Sequence, residues 1–302
     1  MRSLFGAQQH FSDPWVGAAS FNRFGGHLSR MLVSQAAASL RIARARKGSP
    51  VEDAVRTLER DGVAVIEDFV DTETHCALRD EVVTRLTALE TQFPIPESSD
   101  RRFGPRRPFQ GGFDRFDGST LNRYLDIDPR IQPLASRFIQ ETRLTRLVHH
   151  AIGTRLTAKK ASIYLTVQGD EEQNPDLQKE LHRDTFQPAI KFWYFLEKVT
   201  LAEGPFEYVI GSHLLTPARL RWEYRRSVEA SRRGSRDTGG SFRIDEQVLQ
   251  SLGLDLPRPI EVRENTLVIA NVRGFHRRAH GTFGSRRVSI YGNVRPRPFV
   301  PW

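Results

Sequence analysis

The chain has 302 residues, 38% apolar and 27% charged, with a formal net charge of +9. These proportions are those of a globular protein and exclude a collagen-like or wholly disordered one, and with no run of about 18 apolar residues a membrane-spanning helix is not expected. The single cysteine, Cys76, excludes an internal disulfide and a cysteine-built metal site; it reads as a helix-packing thiol in a reducing, cytoplasmic location. The positive balance points to nucleic acid, an anionic membrane surface or an anionic small molecule.

Residues 1–48 read as a basic extension. Arg2, Arg23, Arg30, Arg41, Arg44, Arg46 and Lys47 face one acid, Asp13. Leu28, Met31, Leu32, Leu40 and Ile42 predict a weakly amphipathic helix over 26–46, which packs on the domain or touches a membrane surface peripherally. Lys47-Gly48-Ser49-Pro50 marks a boundary, so the domain is expected to run over 49–302. A helix at 50–60, a strand at 63–66 and a helix from Thr72 to about 92 follow, the last stopped by Pro94 and Pro96. Residues 97–123 read as loop and 129–152 as helix. After that the character changes. Runs rich in β-branched and aromatic residues at 160–167, 189–198, 206–210, 259–262, 265–272 and 286–294 predict strands. Helices early and strands late give an α+β class whose second half is a sandwich or barrel. Between two strand groups, 218–245 carries many arginines around Trp222 and Tyr224 and reads as a lid or binding loop.

The chemistry concentrates in Glu180-Leu-His182-Arg-Asp184. On an extended chain His182 and Asp184 point to the same side, so an imidazole nitrogen and a carboxylate oxygen can share one metal. Such a pair alone is usually incidental. A third ligand is found in His276, just past the apolar run Thr266-Leu-Val-Ile-Ala270, with His280 as a weaker alternative. Two His and one carboxylate leave octahedral positions open, as non-haem Fe(II) oxygenases require. Arg286, at the start of the last strand, needs an anionic partner if it is inward, and a cosubstrate carboxylate would supply one bidentately. Alternation groups Arg286 with Val288 and Ile290, and Arg287 with Ser289 and Tyr291. The apolar side is expected inward, which favours Arg286 over Arg287. No helix-turn-helix, zinc finger or RNA-binding aromatic motif is present, so no nucleic-acid partner is expected.

Taken together, the segments Leu58–Phe69, His182-Arg-Asp184, Trp193–Thr200, Glu203-Gly-Pro-Phe206, Val209-Ile-Gly-Ser-His213, Phe275-His276-Arg and Gly284-Ser-Arg286 resemble the phytanoyl-CoA dioxygenase family over residues 52–298. The resemblance implies a double-stranded β-helix (jelly-roll, cupin-like) core with flanking N-terminal helices and Fe(II) held by His182, Asp184 and His276. It also implies 2-oxoglutarate anchored by Arg286, and dioxygen as the oxidant. Thr166 stands where many members carry Lys and is expected near the cosubstrate, and Trp193 matches an aromatic that walls it. The reaction implied is hydroxylation of a small molecule, possibly anionic or carrier-linked, with release of succinate and CO2. Desaturation or cyclisation with the same cofactors, or a non-catalytic binding role, are the alternatives. Related halogenases replace the carboxylate with a small residue; Asp184 is present here.

Overall fold

A computed structural model describes residues 3–95, 104–172, 174–232, 235 and 237–302. Arg2 of the basic extension, Arg101 and Arg102 of the 97–123 stretch, and Arg233 and Arg236 of the 218–245 segment lie outside the described residues.

The chain opens with a short helix, α1 (Ala19–Arg23), and a long one, α2 (Gly26–Ala45). Next come α3 (Asp53–Asp61), β1 (Val63–Ile66) and α4 (Thr72–Gln92). Local chemistry sets these boundaries. The Asp71 carboxylate accepts the Thr74 amide at 2.8 Å and so caps α4. Gly62 ends α3 at φ +86°, and a Cβ there would lie 2.3 Å from the Tyr208 hydroxyl, so only glycine fits both the backbone and the space.

Residues 104–126 depart from the loop expectation. They form β2 (Arg107–Phe109), β3 (Gly112–Asp117) and β4 (Thr120–Asp126), each antiparallel to the next. The expected helix over 129–152 is two helices, α5 (Pro133–Ile139) and α6 (Thr142–Ile152), the second capped by the Glu141 carboxylate at 2.7 Å from the Leu144 amide. The later strands β5 (Ala161–Val167), β6 (Ile190–Phe195), β7 (Phe206–Tyr208), β8 (Arg258–Ile260), β9 (Thr266–Asn271) and β11 (Arg286–Val294) fall on the predicted runs, and α7 (Pro217–Ala230), α8 (Glu246–Ser251) and β10 (His276–Arg278) lie outside them.

Eight strands form one antiparallel sheet in the order β1-β9-β6-β11-β5-β4-β3-β2, and three form a second, β10-β7-β8. This is the mixed jelly-roll architecture. Strand alternation gives the large sheet two faces with different partners. The outer face, including Ile163, Leu165, Phe192, Tyr194, Val288 and Ile290, packs under α3 to α6 through Leu58, Val82, Leu86, Phe138 and Leu147. Fully burying one such side chain contributes roughly 1.5–3 kcal/mol. The inner face, with Tyr164, Trp193, Phe195 and Val268, meets Phe206 and Tyr208 of the small sheet. A third apolar cluster joins Phe11 of the N-terminal segment to Leu181, Trp222, Phe242 and Phe275. Residues 3–48 are therefore bound into the body of the protein. Cys76 is exposed on α4 instead of packed. None of the helices is long and apolar enough to cross a membrane, among the described residues.

Candidate metal centre

Residues 181–184 lie between two neighbouring segments that fix them on both sides. His182 and His276 exchange backbone hydrogen bonds at 3.0 and 2.9 Å. On the other side the Arg183 amide donates to Phe242 O at 3.0 Å and the Ile244 amide to Leu181 O at 2.9 Å. The Asp184 amide donates to Val272 O at 3.0 Å. In this extended stretch His182 and Asp184 turn one way and Arg183 the other. Arg183 is fully buried, bidentate to Glu223 at 2.8 Å for both bonds, with its guanidinium 4.1 Å from the Phe242 ring centre. Glu223, on α7, also accepts from Arg219 at 2.9 Å and pairs with His27 of α2 at 3.1 Å. Burial raises the Glu223 carboxyl, but Arg183 and Arg219 outweigh it and hold it well below the usual range. Segment 218–245 thus contributes structure: Arg219 is buried, Arg226 pairs with Asp237, and Arg243 pairs with Glu180 at 2.8 Å.

The three residues singled out as ligands come together. His182 Nε2 and His276 Nε2 lie 3.7 and 3.8 Å from Asp184 Oδ1, and the three donor atoms all lie within 4.8 Å of one another. Each imidazole is oriented by its own segment: His182 Nδ1 is 2.7 Å from Glu180 O, and His276 Nδ1 is 2.9 Å from Gly274 O. A carbonyl only accepts, so Nδ1 carries the proton and Nε2 keeps its lone pair. Both Nε2 atoms are buried with no hydrogen-bond partner. Burial pushes both rings down, His276 to about 3, which keeps them neutral, the form that binds metal. Burial works against the Asp184 carboxylate too. Lys191, at 2.6 Å from Oδ2, together with Arg295, overcomes it and holds the group well below its ordinary value. Two neutral imidazoles with unpartnered nitrogens and an ionised carboxylate fit a divalent cation.

These side chains open onto a small cavity of about 80 Å³, lined also by Arg115, Tyr124, Tyr164, Lys191, Trp193, Phe206, Arg278, Arg287 and Tyr291. Trp193 lies where the sequence put it, on the inner face of β6. Thr166 is buried with its hydroxyl unpartnered and stands opposite Arg287 in the β5–β11 register. Arg286 does not reach the cavity. Its side chain is 44% exposed and pairs with Glu90 of α4. Arg287 turns inward, 7% exposed, and donates to the Gly204 carbonyl. The expectation of an inward Arg286 fails because the more apolar side of β11 is the outer one, buried under helices. His280 is 71% exposed on its side chain and pairs with Glu171 at 2.8 Å; His213 holds its turn through Glu59 O at 3.0 Å.

Lys191, Tyr164, Tyr291 and Arg278 were not singled out in the sequence. Lys191 was accessible: it alternates with Trp193 on β6 and so shares its face. Arg278 donates to Asn122 at 2.7 Å and pairs with Asp176, a link across the fold that no local pattern carries.

The phytanoyl-CoA dioxygenase (PhyH) family model matches residues 58–247, more than half of the chain. No curated protein sequence matches. Among solved structures, AviO1 from Streptomyces viridochromogenes Tue57 is similar with 17% identity and a TM-score of 0.47, over 81% of this chain and 94% of that one. The epimerase SnoN from nogalamycin biosynthesis, in complex with Fe3+, alpha ketoglutarate and nogalamycin RO, is 14% identical with a TM-score of 0.47, covering 81% and 85%. EctD from S. alaskensis with bound Fe gives 14%, 0.47, 81% and 76%. On the family match, with a His–Asp–His metal site standing in its jelly-roll, this chain belongs to the phytanoyl-CoA dioxygenase family of non-haem iron and 2-oxoglutarate-dependent oxygenases.

Proposed function

We propose that this enzyme hydroxylates a small molecule, with His182, Asp184 and His276 holding Fe(II) and Arg287 anchoring the far carboxylate of 2-oxoglutarate. The observation that carries the assignment is Arg287. It is a buried guanidinium with no carboxylate partner among the described residues, facing the same cavity as the two unpartnered imidazole nitrogens. Burial and the neighbouring Arg278 bring its pKa down to about 10, still charged at neutral pH. A buried cation in that state is stabilised by an anionic ligand, and the planar fork suits a carboxylate.

When bound, Fe(II) would activate dioxygen, the oxidant, toward an unactivated C–H bond, with 2-oxoglutarate giving two electrons as it is converted to succinate and CO2. The protein's part is orientation and exclusion. Lys191 holds Asp184 Oδ2, which leaves Oδ1 toward the histidines. That carboxylate takes the position a halide would need, and so favours hydroxylation. Trp193 and Phe206, 4.7 Å apart between ring centres, and Tyr291 beside Trp193 at 5.8 Å wall the cavity and keep water out. Thr166 lies beside Arg287 and is assigned to the cosubstrate pocket, with Trp193 as its wall. Arg115, Lys191 and Arg278 also line the cavity, each paired with a carboxylate, Asp117, Asp184 and Asp176 in turn, which leaves Arg287 as the cation open to an anionic ligand there.

The test is anaerobic titration of 2-oxoglutarate into the Fe(II)-loaded protein, followed by its visible charge-transfer band. Arg287→Leu is expected to need at least about thirtyfold more 2-oxoglutarate, the loss of roughly 2 kcal/mol or more for a charged hydrogen-bonded pair. Arg286→Leu is expected to titrate like wild type. The reverse ranking would overturn the assignment, and no band in the folded wild type would overturn the cofactor reading.

A further inference from the structure

Helix α2 is amphipathic with its faces exchanged. Its buried side carries His27, Arg30, Ser34 and Arg41 beside Met31, Ala37 and Ala38. Its solvent side carries Leu32, Val33 and Leu40, exposed by 49%, 54% and 55%, with Ala36 and Ala43 at helical spacing between and beyond them. The polar side is needed inward. His27 reaches Glu223, Arg30 donates to the Leu4 and Gly6 carbonyls at 3.1 Å, and Arg41 donates to the Arg297 carbonyl at 3.2 Å. Nothing inside the molecule explains the apolar side. A surface helix that meets only water carries polar residues there.

The apolar surface continues beyond the helix. Phe5, Trp15 and Phe24, exposed by 75%, 48% and 91%, border with Val33 and Phe299 one open groove of about 840 Å³. Exposed apolar surface gathered in this way marks an interaction site. The charge around it is mostly positive, although Asp13 accepts from the Trp15 amide and Glu59 pairs with Arg46. From Pro14 to Val51 the chain contains no Asp or Glu, but it has Arg23, Arg30, Arg41, Arg44, Arg46 and Lys47. Arg23, Arg44 and Lys47 are exposed, and none of the three forms an ion pair among the described residues. Helix α7, packed against α1 and α2, exposes Arg221 and Arg225, also without ion pairs among the described residues.

We propose that this face docks on an anionic phospholipid surface, with the aromatic and aliphatic side chains entering the interfacial layer and the cations meeting lipid phosphates. A second copy laid on the face across a two-fold axis would set a mostly cationic surface against itself. A neutral apolar partner would leave the same cations unmatched. A bilayer of anionic lipid satisfies both halves of the surface, since binding of this kind sums buried apolar area and electrostatic attraction.

The experiment is flotation of the full chain with vesicles of phosphatidylcholine alone and of phosphatidylcholine containing about one quarter phosphatidylglycerol. Wild type is expected to float with the anionic vesicles, to stay behind with the neutral ones, and to be released as salt rises. Phe24→Glu with Leu40→Glu is expected to abolish flotation. Arg44→Gln and Lys47→Gln are expected to cost about fivefold each. All four side chains are exposed, so each variant is expected to melt as wild type does. Wild type failing to float with either vesicle overturns the proposal. So does a dimer in sedimentation that Leu40→Glu dissociates without vesicle binding, which would give the face to a second copy.

Discussion

Arg286 and Arg287 are neighbours in one strand and meet opposite surroundings, one on the helix side against Glu90, the other in the cavity beside Thr166. The titration contrast between their Leu variants follows from that alternation. Another residue whose surroundings set a measurable outcome is His213. Burial lowers its pKa to about 4 from the ordinary value of about 6.5, opposed by the hydrogen bond to Glu59 O and reinforced by Arg273 and Arg219. A folded-state value below the unfolded one means the unfolded chain takes up the proton first. The contribution is therefore complete above about pH 6.5 and is lost as pH falls toward 4, by up to roughly 3 kcal/mol. His213→Gln, which can still donate to Glu59 O, is expected to flatten the acid limb of a melting-temperature profile over that window. An unchanged limb would place the acid sensitivity elsewhere. At this scale the ligand set was legible, because His182 and Asp184 obey strand alternation and His276 follows an apolar run that reads as strand. The anchor was not, because alternation sorts residues into two faces without saying which face the helices cover.

Among the elements, α7 carries links that the sequence reading does not supply. Its arginines read as part of a lid or binding loop, and in the fold Arg219 and Glu223 turn inward and tie α7 to α2 and to Arg183, between two of the metal-site residues. The partners of Arg183 lie at positions 27 and 223, and local patterning does not reach that far. Glu223→Ala would leave Arg183 and Arg219 buried without their carboxylate, and is expected to destabilise the fold by about 3–5 kcal/mol in chemical denaturation. A change under about 1 kcal/mol would mean that solvent reaches the cluster. The β2–β4 strands were missed for another reason. Gly, Pro and Arg dominate 104–118, and the pairing is held by neighbours across the sheet, with Arg123 bidentate to Asp114 at 2.8 Å and Tyr124 stacked on Tyr164 at 4.6 Å. The long helices and β5 to β11 were legible because each carries its own periodicity.

For the whole molecule, residues 3–48 are joined to the catalytic half at several points: the Gln9 side-chain amide donates to the Asp184 carbonyl at 3.0 Å, the Phe11 amide donates to Thr238, and Arg30 sits over Phe186 at 4.4 Å. Ligand binding at the metal centre should therefore be felt throughout. Fe(II) or Mn(II) with 2-oxoglutarate, each well above its dissociation constant, is expected to raise the melting temperature by several degrees, about 2.7 kcal/mol for a ligand at ~100 times Kd. A chelator is expected to reverse the rise; a melting point indifferent to both would show that the site is not loaded. The two histidines are clamped to each other by reciprocal backbone hydrogen bonds, so their spacing is set before any ion arrives. A frame held this firmly presents imidazole and carboxylate donors to every divalent first-row ion alike, and such donors grip Co(II), Ni(II), Cu(II) and Zn(II) more tightly than Fe(II). Which ion the protein carries is thus decided by what its surroundings offer, and the heavier ions are expected to be its natural poisons.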